Sequence, residues 1–228
     1  MADALARRFA ILDTTRHPVV QPIIELGTLE DLKPLARFHY AAGRPGPVAR
    51  VLRAVDDGEV VGVLVASMPT LNGRWRPIAW PGDYDTPDRR ENARRLNRDL
   101  RVISRVIVDP RYRGHGLAVR LVRSYLHDPP TRRTEALAAM AHACPFFERA
   151  GMRRIDMPPS KADARLSLAL SQQGLDATDL LRDLPREITP KLRAWARARR
   201  LRGGDIAGRA FAALMHPPVA LVHEGGES

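Results

Sequence analysis

The run Arg101–Leu126, RVISRVIVDPRYRGHGLAVRLVRSYL, constrains the fold more than any other stretch. Val102–Val108 is dense in β-branched residues and predicts a buried strand. Asp109-Pro110 ends it, because proline has no N–H to give to a ladder. After Arg111-Tyr112-Arg113-Gly114-His115-Gly116, apolar residues at Leu117, Val119, Leu121, Val122, Tyr125 and Leu126 predict an amphipathic helix. Strand, glycine-bearing loop and helix N-terminus in that order bring unpaired backbone N–H groups to one point, a geometry that binds phosphate oxygens. The competing reading is a tight turn whose glycines only relieve backbone strain.

The rest of the chain divides less sharply. Val19–Leu26 reads as a first strand. Thr28-Leu29-Glu30-Asp31 reads as a loose capping box that opens a helix from about Leu29 to Phe38, with Leu32, Leu35 and Phe38 inward. Glycines and prolines up to Pro47 stop that helix. Ala49–Val55 and Glu59–Ser67 flank Asp56-Asp57-Gly58, a hairpin signal. From Met68 to Asn97 apolar periodicity is lost, so 68–97 reads as an insert, either functional or pinned to the core by its own aromatics. Thr134–Ala141 predicts another strand, and Pro145 opens a short helix ended by Gly151. Arg153–Met157 is a candidate sixth strand. Ala162–Met215 is mostly helical in pattern, with Asp179–Leu184, Pro190–Leu201 and Asp205–Leu214 the clearest segments. The tail from Pro217 is expected to be loosely held.

Composition narrows the function classes. A single cysteine, Cys144, excludes an internal disulfide framework and a cysteine-rich metal site, and no metal is expected. No apolar run approaches membrane-spanning length, so a soluble, cytoplasmic protein without membrane contact is expected. The net charge of +11 favours an anionic partner, although the skew to arginine over three lysines also reflects codon bias.

The spacing R-x-x-G-x-G from Arg111 to Gly116, the preceding V-x-V-D-P and the later Phe146-Phe147-Glu148-Arg149-Ala150-Gly151-Met152 together resemble the GNAT superfamily of acyl-CoA-dependent N-acyltransferases. The likeness covers roughly Val19–Asp156. It implies an α/β (α+β) fold with a mixed, mostly antiparallel sheet flanked by helices. The domain division expected is 1–158 for the acyltransferase and 159–228 for a basic helical C-terminal extension. It also implies acetyl-CoA or another acyl-CoA as co-substrate. Val106, Ile107 and Val108 would run beside the pantetheine, and Arg111, Arg113, Gly114, His115, Gly116, Leu117 and Ala118 would cradle the pyrophosphate. The thioester would sit where the fourth and fifth strands splay, its carbonyl oxygen meeting a backbone N–H near Val106. Phe38-His39-Tyr40, Ser104–Val108 and Cys144–Glu148 are further similar to acyltransferase domains fused to ABC-type ATPases and to phage Mom DNA-modification proteins. The chain has no P-loop, so it encodes no ATPase partner.

One departure bears on mechanism. Where the family usually has a proton-donating tyrosine, this chain has Phe147. The groups open to proton transfer or orientation are His39, Tyr40, Ser104 and His142, with Cys144 the weakest candidate because ordinary thiols are inert. His39 suits a base, since an imidazole titrates near operating pH; equally, it could cap a helix end. Ser104 and His142 have plain structural readings of comparable weight. Arg74-Trp75-Arg76 and the basic helix carrying Arg197, Arg199 and Arg200 suggest a nucleic-acid acceptor, tRNA or DNA, held by phosphate contacts and base stacking. The alternatives are solvated surface, a Mom-like nucleobase modification using a different donor, or a nucleic-acid-binding module that has lost catalysis.

Overall fold

The computed structural model describes residues 21–38, 45–201 and 203–225. A seven-stranded sheet runs in the order β1-β2-β3-β4-β5-β7-β6. The strands are β1 (Ile23–Leu26), β2 (Val48–Asp56), β3 (Glu59–Ser67), β4 (Leu100–Val108), β5 (Arg133–Ala138), β6 (Arg153–Ile155) and β7 (Val219–Glu224). β1 to β4 form an antiparallel meander. β4 and β5 are parallel, joined by the crossover helix α3 (Leu117–His127), as a parallel pair requires. β7 then lies antiparallel to both β5 and β6.

The hairpin forms as expected, with Asp57 and Gly58 both at positive φ, 47° and 78°, the backbone a tight two-residue hairpin turn demands. The capping box at Thr28 is present, its backbone N–H donating to Asp31 Oδ2 at 2.7 Å. The helix expected after it is instead two 3-10 turns, Leu29–Leu32 and Ala36–Phe38. Pro34 lies between them and has no N–H to continue a helix. Val19 and Val20, expected in the first strand, lie outside the described residues.

Two faces of the sheet are covered. On one, Leu117, Leu121, Val122 and Tyr125 of α3 pack with Leu64, Ile103 and Ala136, and α4 (Phe146–Arg149) adds Phe147. On the other, the segment 68–97 is not structureless. It folds into α1 (Arg76–Ala79) and most of α2 (Arg89–Asp99). There Trp80, Tyr84 and Leu96 form a core with Leu100, Ile155 and Val222. The aromatics are the reason: they supply the buried area that a polar, proline-rich stretch otherwise lacks.

The segment expected as a helical extension holds α5 (Lys161–Ser171), α6 (Ile188–Ala198) and α7 (Ile206–Met215) around a core of its own, centred on Leu166, Leu170, Leu180, Leu192 and Trp195. Only a 3-10 turn, Ala177–Leu181, stands where Asp179–Leu184 was expected to be helical. The segment after Pro217, expected to be loosely held, is instead part of the sheet. Val219–Glu224 returns as β7 between β5 and β6, with Ala220 and Leu221 wholly buried. The three helices are thus carried between two strands of the sheet. Among the described residues no helix is long and apolar enough to cross a membrane.

Asp163 joins the helices to one another. It accepts from Trp195 Nε1 at 2.8 Å and from Arg199, whose guanidinium also lies 5.3 Å over the Trp195 ring. Burial alone would raise the Asp163 carboxyl, but hydrogen bonds from Arg199, Ser160 and Trp195 outweigh it and hold the pKa below the ordinary carboxylate value. A depressed carboxylate stabilises the fold above its unfolded pKa and loses that contribution as pH falls through the folded value. Asp163→Asn should therefore lower the melting temperature at pH 7, and the difference from the parent should shrink as acid melts approach and pass below the ordinary carboxylate range.

Candidate active site

The β4–α3 loop takes the shape its glycines demand. Gly114 and Gly116 have φ of 82° and 78°, and a Cβ added at either would meet nothing within 4 Å. Open space therefore lies in front of the loop. Gly116 caps α3, and the first helical bond inside it runs from Arg120 N to Gly116 O, leaving the N–H groups of Leu117, Ala118 and Val119 ahead of it. His115 is exposed at the tip.

Side chains brace this loop from behind. Arg111 pairs with Asp109 and Glu59, and these two carboxylates, Asp109 foremost, push its pKa above the ordinary guanidinium value. Tyr112 donates to Asp56 Oδ2 at 2.6 Å; burial, with that carboxylate adding to it, pushes the phenol up to about 12. Arg113 Nε donates to Val108 O at 3.2 Å. Both arginines thus shape the loop while remaining exposed beside its backbone N–H groups.

Strand β4 parts from β5 close by. Their ladder runs from Leu100↔Arg133 to Ile103↔Ala136 and stops there. Ser104 is the bulged residue at that point, since Val65 pairs with Arg105 and Ala66 with Ile103. Its hydroxyl lies 2.7 Å from Ser67 Oγ and 3.1 Å from Val65 O, so it fastens the bulge to β3. Beyond the bulge the alternation of the antiparallel ladder decides which groups face the gap. Asp109 N–H donates to Val61 O at 2.9 Å, which makes Ile107/Val63 and Arg105/Val65 the bonded pairs. Val106 and Val108 therefore turn their N–H and C=O away from β3, towards the gap. Ile107 instead packs on the opposite face with Leu35 and Val63.

A strand with gap-facing amides, leading into a glycine loop at the N-terminus of an eleven-residue helix, is a seat for an extended chain ending in phosphates. Residues 21–152 match the acetyltransferase (GNAT) family. The chain belongs to that family. It is an N-acetyltransferase of the GNAT type, with acyl-CoA as co-substrate. No curated protein matches it. Among solved structures it is similar to the GNAT family N-acetyltransferase YhbS of Escherichia coli in complex with CoA, at 18% identity over 60% of this chain and 71% of that one, TM-score 0.41. NAA60 of Arabidopsis thaliana in complex with acetyl-CoA is 19% identical over 59% and 87%, TM-score 0.42. An apo agmatine N-acetyltransferase mutant is 15% identical over 89% and 98%, TM-score 0.43.

For a GNAT chain the remaining site residues fall unevenly. His39 and Tyr40 lie outside the described residues. Phe147 is 6% exposed, its ring 4.3 Å from that of Phe146 and packed in the α3 core. His142 is exposed, with Nε2 2.9 Å from Pro217 O. A carbonyl only accepts, so that nitrogen carries the hydrogen, and in the neutral ring Nδ1 keeps its lone pair.

The nucleic-acid residues need correcting. Arg76 is 2% exposed and grips Glu135 through two hydrogen bonds, at 3.0 and 2.6 Å, leaving nothing for a phosphate to reach. Trp75 spends its indole N–H on Glu135 at 2.7 Å, and its ring is flanked by the Arg76 guanidinium. Arg74 donates to the carbonyls of Pro158 and Pro159. Arg199 is exposed but paired with Asp163, and Arg197 and Arg200 are exposed on the same helix end. Sequence reasoning missed Glu135 and Leu137. Both are on β5 facing the 68–97 segment, and nothing in a run of small residues marks them out.

Proposed function

We propose that the protein moves the acetyl group of acetyl-CoA to the nitrogen of an amine that meets the thioester in the gap between β4 and β5. One observation carries the reading: the strands part at the Ser104 bulge, directly before the Gly114–Gly116 loop. Bound there, acetyl-CoA supplies an activated acyl carbon. The loop amides and the N-terminus of α3 hold its phosphates, and Val106 N–H meets the carbonyl oxygen as negative charge gathers on it. Attack by the neutral amine forms the C–N bond and breaks the C–S bond. The amine proton passes to His142 Nδ1 and then to the departing thiolate, a duty Phe147 has no proton to perform. The acetyl-CoA-binding groups lie within 1–158, and the chain after them supplies three helices and the strand β7 that completes the sheet.

A nucleic-acid acceptor and the narrower Mom-like chemistry draw no support from this geometry, because Arg76 is buried against Glu135, and the polar groups of Trp75 and Arg199 are engaged by Glu135 and Asp163. The test is thiol release from acetyl-CoA in the presence of an amine. His142→Ala should lower kcat by about 10²-fold, the usual weight of general acid–base help. Full activity in His142→Ala, with loss in His39→Ala or Tyr40→Phe, would move the proton-transfer role to that pair.

A further inference from the structure

On the face of the sheet away from α3, a cavity of about 950 Å³ opens between the helical segment and the strand ends. Its walls are Leu137 at the end of β5, Met157 after β6, Leu168 on α5, and Leu214 with Pro217 at the end of α7. Leu137 follows Ala136, the last β5 residue paired with β4, so this wall is also the edge of the gap. His142 lines the same cavity. Two large apolar side chains, Leu137 at 46% and Leu168 at 58% exposure, stand bare in it.

The charged groups around the cavity are already occupied. Asp163 is held by Arg199, Trp195 and Ser160. Arg154 faces Asp156 at 3.6 Å, and Arg74 is bound to two proline carbonyls. Asp176 takes the N–H and hydroxyl of Thr178. A polyanion would have to break these pairings to gain its own, and either a polyanion or a polyamine would bring its charges against leucines. The size suits one small molecule lying in an open, mostly apolar groove.

We infer that this cavity is the acceptor site, and that its acceptor is a primary amine on an apolar body, an arylalkyl or alkyl amine, whose nitrogen reaches the gap past Leu137. The inference rests on the acetyltransfer reading above and adds the acceptor's class and its seat. α5 presents Ala164, Ser167, Leu168 and Ser171 to the cavity at helical spacing, so the helical segment is the specificity wall of the enzyme.

The experiment measures thiol release from acetyl-CoA with 2-phenylethylamine, hexylamine, spermidine and bulk tRNA as acceptors, using the full chain. Phenylethylamine and hexylamine should be turned over with kcat/KM at least tenfold above spermidine, and tRNA should not react. Leu168→Asp and Ala164→Trp alter exposed positions on α5. Both should raise KM for phenylethylamine about tenfold or more, leave KM for acetyl-CoA unchanged, and keep the parent melting temperature. The assignment is overturned if acetyl-CoA binds and neither apolar amine reacts, if spermidine or tRNA is preferred, or if both variants keep the parent KM. Failure of acetyl-CoA to bind at all would strike the acetyltransfer reading instead.

Discussion

Gly114→Asp and Gly116→Asp should each abolish acetyl-CoA binding while the protein stays folded. Both positions have a left-handed backbone, at φ of 82° and 78°, which aspartate tolerates better than most residues, for about 1–2 kcal/mol. That is a fraction of the 5–15 kcal/mol that typically holds a domain together, on the order of magnitude that survives one loop substitution. Binding suffers far more. Each carboxylate would project into the open space before the N-terminus of α3, where the phosphates belong. Two like charges about 4 Å apart cost roughly 1 kcal/mol in water and about 4 kcal/mol near a protein surface. The pyrophosphate carries more than one charge and also loses its close approach to the backbone, so affinity should fall beyond what calorimetry detects. Gly114→Ala supplies the strain without the charge and should weaken binding less. Unchanged affinity in both aspartate variants would remove this loop from the site.

Glu135→Ala is the stability counterpart. Arg76 and Glu135 are 2% and 1% exposed and form a bidentate pair, with Trp75 Nε1 and Thr70 O completing their hydrogen bonds. Removing one partner strands a buried charge, which costs about 3–5 kcal/mol. For a chain of this size each kcal/mol is worth roughly 2–4 °C, so melting should fall by about 10 °C. Replacing both members, Arg76→Met with Glu135→Leu, should recover most of the loss, since a buried pair exchanged for apolar groups is often neutral or better. A double variant as unstable as Glu135→Ala would show that packing, not the orphaned charge, was responsible. The pair also fixes the 68–97 segment onto β5 two residues from Leu137, so acceptor KM should rise in Glu135→Ala at temperatures where the protein is still folded.

Arg76 shows why a motif of basic and aromatic residues misleads when read along the chain. Arg-Trp-Arg looks the same whether it stacks on bases or closes over a carboxylate. The difference lies in Glu135, fifty-nine residues away, and no local pattern links the two. Val219–Glu224 is a similar case. Its apolar run is a strand signal, but a position near the end of the chain argues for looseness until β5 and β6 are seen to leave a place between them. The helix expected from Leu29 to Phe38 failed for a reason that was legible: Pro34 stood in its middle.

The β4–loop–α3 unit was readable from residues alone because every constraint on it is local. β-branched residues make the strand, Asp109-Pro110 ends it, positive-φ glycines shape the loop, and a 3.6-residue apolar period makes the helix. That unit, together with the Phe146–Met152 run, was enough to expect the family and the co-substrate. The gap, the direction of the Val106 amide and the cavity behind Leu137 depend on contacts between residues far apart in the chain. Where β4 leaves β5 is settled by the Ser104 bulge against β3, and the acceptor wall by how α5 and α7 pack before the chain returns as β7. Such pairings are set by burial and register summed over the whole fold, so only the folded chain reveals them.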